Sequence, residues 1–388
     1  MKEKSMSIVK RSQKEYPLAD LDLAGTLSKA WNEGWMDEYS DNHFLIKAIE
    51  GRLEDNQAYY KFDSYYDPFY NVNKDNFQEN FCINLSHTIL GLMHFFGERK
   101  IRTFFTDQLS AGKEKYDEAQ FFRALSEISV LRFWIQRSKS GEYEPKINGK
   151  KNPEARFYCN NGVTVDIEVK TPGFRDFDGI YEFAIPLVLL ENEGRVKFTS
   201  YCSDHSLNGL MPRVSKLKDF LNSAAEKFET VDHINHMNIL YINWTFSEVI
   251  ESGYEEALSL LANPANGILI HKDIGLKLGI NEDVYDKITA VIVYTESVGG
   301  LMFGDFRYVW IRRSNVMPDF GIVPLHNGGD LFKTTGMNPD EINSKGTKPF
   351  PIIYYQAKDA NCFDDLCQIV CENILLSKDD DLLSRNET

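Results

Sequence analysis

Three charged residues alternate with apolar ones in the stretch Val163–Lys170: Asp166, Glu168 and Lys170. Val163, Val165, Ile167 and Val169 occupy the intervening positions, so the period is two and the stretch reads as a half-buried β-strand. One face enters a core, and the other carries two carboxylates and an amine. Neighbouring carboxylates repel unless a cation lies between them. Magnesium and similar hard divalent ions take oxygen ligands of this kind. A lysine two residues further on would stand beside whatever such an ion activates. The same alternation also suits the wet face of an antiparallel hairpin, where cross-strand ion pairs help solubility.

The elements that must position these groups can be read on either side. Lys146–Lys151 is a polar, glycine-containing loop followed by Asn152-Pro153-Glu154. Ala155–Cys159 predicts a strand, and Asn160-Asn161-Gly162 is a hairpin turn signal. Upstream, Phe121, Phe122, Leu125, Ile128, Leu131 and Ile135 recur at helical spacing within Asp117–Ser138, with Glu127 off that stripe.

Helix, Pro153-Glu154, strand, tight turn and a strand ending Glu168-Val169-Lys170 together resemble the core of the restriction-endonuclease-like PD-(D/E)XK nucleases. The aspartate of the usual Pro-Asp pair is here Glu154, which lengthens one ligand by a methylene. The resemblance implies a mixed α/β fold: a central mixed β-sheet flanked by helices, preceded here by a helical N-terminal region. It also implies phosphodiester hydrolysis with magnesium or manganese. Glu127, Glu154, Glu168 and Lys170 would be the catalytic group. The ion would be held by Glu154, Glu168 and the carbonyl of Val169, with Asp166 on the same face as a possible substitute ligand. Lys170 would orient the attacking water or stabilise the transition-state charge. The substrate would be nucleic acid, DNA favoured over RNA, and the setting restriction or defence against phage. A catalytically silent member of the same fold, binding nucleic acid or protein, is the alternative.

Composition bounds this reading. The chain has 388 residues, 43% hydrophobic, enough for two or three domains. Its formal net charge of -15 argues against bulk attraction to nucleic acid, so a binding surface would have to be a local basic patch. Lys139, Lys146, Lys150 and Lys151 form one candidate group. Arg213, Lys216 and Lys218 form a second, and Arg307, Arg312 and Arg313 a third. No apolar run approaches the roughly 18 residues of a membrane span. Met1–Tyr16 lacks the apolar core of a secretion signal. The six cysteines are sparse and in apolar surroundings, consistent with thiols in a cytoplasmic protein.

The expected divisions are a mainly helical region at 1–116, a nuclease domain at 117–376 and a disordered tail at 377–388. One helix is expected within Leu18–Tyr39, and others at Asn76–Phe96, Arg99–Leu109, Arg213–Phe228, Tyr254–Leu261 and Asp364–Leu375. Strands are expected at Phe198–Cys202, Asn238–Trp244, Gly267–Ile270, Ile288–Tyr294, Phe303–Arg312 and Pro351–Tyr355. Tyr59–Tyr70 is an aromatic cluster, read as packing under a loop. Asp232-His233-Ile234-Asn235-His236 reads as a solvated loop. A homodimer or larger complex is expected, because two related sites cut a duplex most simply.

Overall fold

The computed structural model describes residues 10–53, 77–113, 115–147, 151–172, 181–186, 192–205, 209–210, 213–244, 257, 260–262, 267–295, 307–312, 321–323, 352–357 and 360–373. The aromatic cluster at Tyr59–Tyr70, most of Tyr254–Leu261, Lys150, Arg313 and the tail from 377 lie outside the described residues, as do the side chains of Arg213, Arg307 and Arg312.

The helices of the first half are α1 (Thr26–Asn32), α2 (Phe44–Ile49), α3 (Phe77–Phe96), α4 (Glu98–Asp107) and α5 (Glu118–Ile135). Asp117 caps α5: its side chain accepts a hydrogen bond from the backbone N–H of Gln120 at 3.1 Å. Phe121, Leu125, Ile128 and Leu131 of α5 are buried at the helical spacing seen in the sequence. The one helix expected within Leu18–Tyr39 is α1, with turns on both sides.

Strands β1 (Ser138–Tyr143), β2 (Ala155–Cys159) and β3 (Thr164–Lys170) form an antiparallel meander. At its tight turn Gly162 has φ +87°, a conformation that glycine adopts without steric penalty. The β2–β3 register places Ala155 opposite Ile167 and Arg156 opposite Asp166. The N–H of Glu154 donates to the carbonyl of Ile167 at 2.9 Å, so Glu154 enters the sheet beside Glu168.

Next in the chain come β4 (Tyr181–Pro186), α6 (Asn192–Asp204), β5 (Gly209–Leu210) and α7 (Arg213–Lys227). Strand β6 (His236–Asn243) runs parallel to β3, and β7 (Ala290–Thr295) parallel to β6. Between β6 and β7 lie α8 (Lys272–Lys277) and α9 (Glu282–Lys287). Strands β8 (Arg307–Arg312) and β9 (Gly321–Val323) add antiparallel, giving the order β1-β2-β3-β6-β7-β8-β9. This is a mixed α/β architecture with a mixed central sheet flanked by helices. Strand β10 (Ile352–Ala357) lies between β4 and β5 in a separate three-stranded sheet, and α10 (Ala360–Asn373) closes the described chain.

The chain divides into two compact units, 1–175 with 220–344, and 176–219 with 345–388. The expected regions 1–116 and 117–376 meet inside the first unit. The physical reason is one continuous core: Trp31, Met36, Phe44, Leu85 and Phe105 of the N-terminal helices are buried in the same cluster as Phe121, Phe157, Ile167 and Tyr241. The second unit takes one segment from between β3 and β6 and the other from after β9.

Two strand assignments are corrected. Phe198–Cys202 lies within α6, where Phe198 and Cys202 are buried four residues apart while Thr199 and Ser200 are exposed. That is a helical spacing, and five residues were too few to reveal it. Gly267–Ile270 leads through a turn into α8, with the N–H of His271 donating to the carbonyl of Gly267 at 2.9 Å. A third finding is an addition: β1 begins at Ser138, where the sequence showed only the end of a helix.

Candidate functional site

Strand β3 carries its polar residues on one face, and both carboxylates there are fully buried: Asp166 and Glu168 expose 0% of their surface. They stand two residues apart but in different surroundings.

Around Asp166 the charges are closed. Arg156, opposite it on β2, donates from Nε to Oδ1 at 2.6 Å and from Nη2 to Oδ2 at 2.7 Å. The same guanidinium reaches Glu229. His236 Nε2 lies 3.0 Å from Asp166 Oδ2. His236 is brought there by the loop before β6. The Asp232 side chain accepts from the backbone N–H groups of Ile234, Asn235 and His236, which holds its own carboxyl below the ordinary range. Burial pulls the Asp166 carboxyl upward, but the hydrogen bonds and charges of Arg156 and His236 outweigh it and hold the group below its ordinary value.

Around Glu168 the charges are not closed. Lys170, two residues on, places Nζ 2.7 Å from Glu168 Oε1. Lys227, the last residue of α7, places its Nζ 2.6 Å from the same oxygen and 3.4 Å from Glu154 Oε1. Lys227 donates a hydrogen bond to Glu154 Oε1, both ammonium groups crowd Oε1 of Glu168, and Oε2 of Glu168 has no hydrogen-bond partner among the described residues. Glu154 is raised to about 7, chiefly by burial and then by the charge of Glu168, against the opposing pull of Lys227 and Lys170. Glu127 on α5 accepts a hydrogen bond from Tyr143 Oη at 3.0 Å. Its carboxyl is raised well above the ordinary value, first by burial and then by the charges of Glu154 and Glu168. The Lys227 ammonium is desolvated, yet Glu154 and Glu168 outweigh that and raise it.

Glu127, Glu154, Glu168 and Lys170 thus share one electrostatic neighbourhood, assembled from α5, the start of β2 and the end of β3. Val169 lies between Glu168 and Lys170, paired in register with Tyr241 of β6. Asp166, expected as a further ligand, faces Arg156 and His236 instead, because one strand step carries it away from Glu154 and toward the arginine opposite. Lys227 was read only as a basic position on its helix, 57 positions beyond Lys170, and no local pattern links it to the strand. His236, assigned to a solvated loop, starts β6 and touches Asp166.

The two carboxylate groups differ in their fit to a divalent ion. Asp166, Glu229 and His236 have ligand atoms within 4.8 Å of one another, the only such trio among the described residues. Arg156 already occupies that cluster, and an ion there would have to displace a bidentate guanidinium, so the residues do not fit a resident metal. Glu154 and Glu168 offer hard oxygen ligands, and the buried, unpartnered Glu168 Oε2 is the kind of atom that an ion satisfies.

No protein-family model, no curated protein and no solved structure matches this chain. Among the described residues, no helix is long and apolar enough to cross a membrane.

Proposed function

We propose that the chain is a metal-dependent nuclease, built on a restriction-endonuclease-like core, that hydrolyses phosphodiester bonds of nucleic acid, DNA before RNA. The observation that carries this reading is Glu168. It is wholly buried at the end of a central strand, beside Glu154 and two residues from Lys170, and its Oε2 has no hydrogen-bond partner among the described residues. A buried carboxylate left in that state costs stability, of order 1–3 kcal/mol or more for a charged group. Its retention is accounted for by a ligand it serves.

A magnesium or manganese ion held by Glu154, Glu168 and the Val169 carbonyl would polarise the phosphate and acidify a water molecule. The chain's own residues supply the rest. Glu127, its carboxyl raised, hydrogen-bonds a water or takes a second ion. Lys170, anchored on Glu168, directs its remaining N–H groups at the attacking water or the developing negative charge. Burial of the strand end excludes bulk water and strengthens each of these interactions. Restriction or defence against foreign DNA suits such an activity, and a two-fold dimer would present paired sites to a duplex.

A second reading rests on Lys227. Its ammonium lies against both Glu154 and Glu168, so the carboxylates are partly neutralised without an ion. A silent scaffold that binds nucleic acid or protein would keep that arrangement permanently. Incubation of the purified chain with plasmid, single-stranded DNA and total RNA separates the two. Cleavage with magnesium or manganese that EDTA abolishes and Lys170→Ala removes is the expected result. No cleavage of any of the three, with no divalent-ion binding, would leave the scaffold reading.

A further inference from the structure

Lys227 is placed unlike any other cation near the site. It ends α7, and its Nζ contacts Glu168 Oε1 at 2.6 Å and Glu154 Oε1 at 3.4 Å. Those are the two carboxylates that would bind a divalent ion under the nuclease reading, on which this inference rests. Lys170 touches only one of them, at 2.7 Å. The Lys227 side chain is 18% exposed, Glu154 20% and Glu168 0%, so the bridge is formed largely out of water. Attraction there is stronger than at the surface, and it acts on the same oxygens a metal needs.

The neighbours of Lys227 locate its backbone firmly. Ala224, Ala225 and Phe228 are buried on both sides of it in the chain. Glu226 turns outward to pair with Lys151, and Glu229 turns to Arg156. The helix end therefore cannot withdraw as a whole. What can move is the four-carbon stem, whose rotamers allow the ammonium to swing while the backbone stays.

We infer that Lys227 is a built-in competitor for the divalent ion: its ammonium bridges Glu154 and Glu168 when the metal is absent, and leaves that position when the metal binds. An ion bridging Glu154 Oε1 and Glu168 Oε1 would need the place that the Lys227 ammonium holds between them, and two positive charges repel strongly at that range. Binding is then an exchange, and its cost is the loss of the lysine's two ion pairs. The displaced ammonium remains tethered beside the metal, within reach of a phosphate brought to it. The arrangement protects the fold from three clustered carboxylates in the metal-free state, and it sets the metal affinity below what the carboxylates alone would give.

The test is calorimetric titration of the full chain with manganese, with no nucleic acid present. Lys227→Met keeps the stem and removes the charge, and it should bind manganese about 10-fold more tightly or better, within the usual span of coupling between competing sites. Lys227→Arg keeps the charge and should bind no more tightly than wild type. A Lys227→Met chain that is folded and binds manganese with wild-type or weaker affinity overturns the inference while leaving the nuclease reading standing. Absence of manganese binding in wild type and Lys227→Met alike overturns both. If Lys227→Met does not fold, the wild-type chain with 15N-labelled lysine decides the matter: saturating magnesium should move the Lys227 amine signal toward that of a solvated lysine. A signal unchanged while magnesium is bound contradicts the exchange.

Discussion

The two ends of β3 present the same chemistry in opposite states. At Asp166 a buried carboxylate meets a bidentate arginine and an imidazole, and each carboxylate oxygen is satisfied. At Glu168 a carboxylate equally buried meets two ammonium groups at one oxygen, and its Oε2 has no hydrogen-bond partner among the described residues. The difference lies in geometry. A guanidinium presents a planar fork that matches a carboxylate, whereas an ammonium is a point charge that neutralises without saturating. A closed pair is finished as structure, and an open one has capacity left. The contrast explains why two carboxylates on one strand face need not share a role, and why Glu168 rather than Asp166 is the candidate ligand.

The largest expected effect is on catalysis. Lys170→Ala should lower cleavage by roughly 10²–10⁴-fold, the range for a lost proton-transfer or electrostatic group, with divalent-ion binding retained. Asp166→Asn should leave the cleavage rate of the folded chain near that of wild type. A rate loss as large in Asp166→Asn as in Lys170→Ala, measured on the same plasmid, would erase the distinction between the two ends.

The next effect is on stability. Arg156→Met leaves Asp166 buried without its fork and should cost about 3 kcal/mol in chemical denaturation, at the low end for breaking a buried pair because Arg156 is partly exposed. Manganese affinity should stay unchanged. A parallel loss of metal binding would place Asp166 in the metal site after all.

The two ends should also answer pH in opposite directions. Glu154 is raised to about 7, so in the metal-free chain its contribution to stability is present below the ordinary carboxylate range and is lost as pH rises through 7. Asp166 is held below its ordinary value, so its contribution is present above that value and is lost as pH falls through the depressed one. Glu154→Gln should reduce the decline of stability between the ordinary carboxylate range and pH 7, leaving the share of Glu127, which burial also raises, and should leave the acid limb intact. In wild type, divalent-ion binding should strengthen over that same window, as the ion displaces the Glu154 proton. Denaturation and titration at several pH values would show both, and a Glu154→Gln chain with the wild-type slope would refute the assignment.

The sequence revealed one end of this comparison better than the other. Alternation in Val163–Lys170, the Asn160-Asn161-Gly162 turn and the Pro153-Glu154 step were enough to put Glu154 beside Glu168, because register in a tight hairpin is a local property. The same alternation grouped Asp166 with Glu168, since period two reports the face and says nothing of what stands opposite. Arg156 carries no mark in the alternation, because its place opposite Asp166 follows from the register of the closed turn. Lys227 and His236 arrive through tertiary structure, one from a helix end and one from a parallel strand, and neither leaves a local trace. Phe198–Cys202 and Gly267–Ile270 were misread for a simpler reason: runs of four or five apolar residues carry no period.

The smallest expected effect lies at the surface, where Lys151 pairs with Glu226 and both side chains are about half exposed. Lys151→Ala should change stability by less than about 1 kcal/mol. A larger loss would mean that the α7 end, and with it Lys227, is held by this pair.

The central claim is that Glu168 and not Asp166 is the metal-binding carboxylate of β3. Manganese titration of wild type, Glu168→Gln and Asp166→Asn, each at a temperature where it is folded, tests it most directly. Wild type and Asp166→Asn should bind, and Glu168→Gln should lose binding or bind at least ten-fold more weakly, a difference of about 1.4 kcal/mol or more. Equal affinity in wild type and Glu168→Gln, or loss confined to Asp166→Asn, would contradict it.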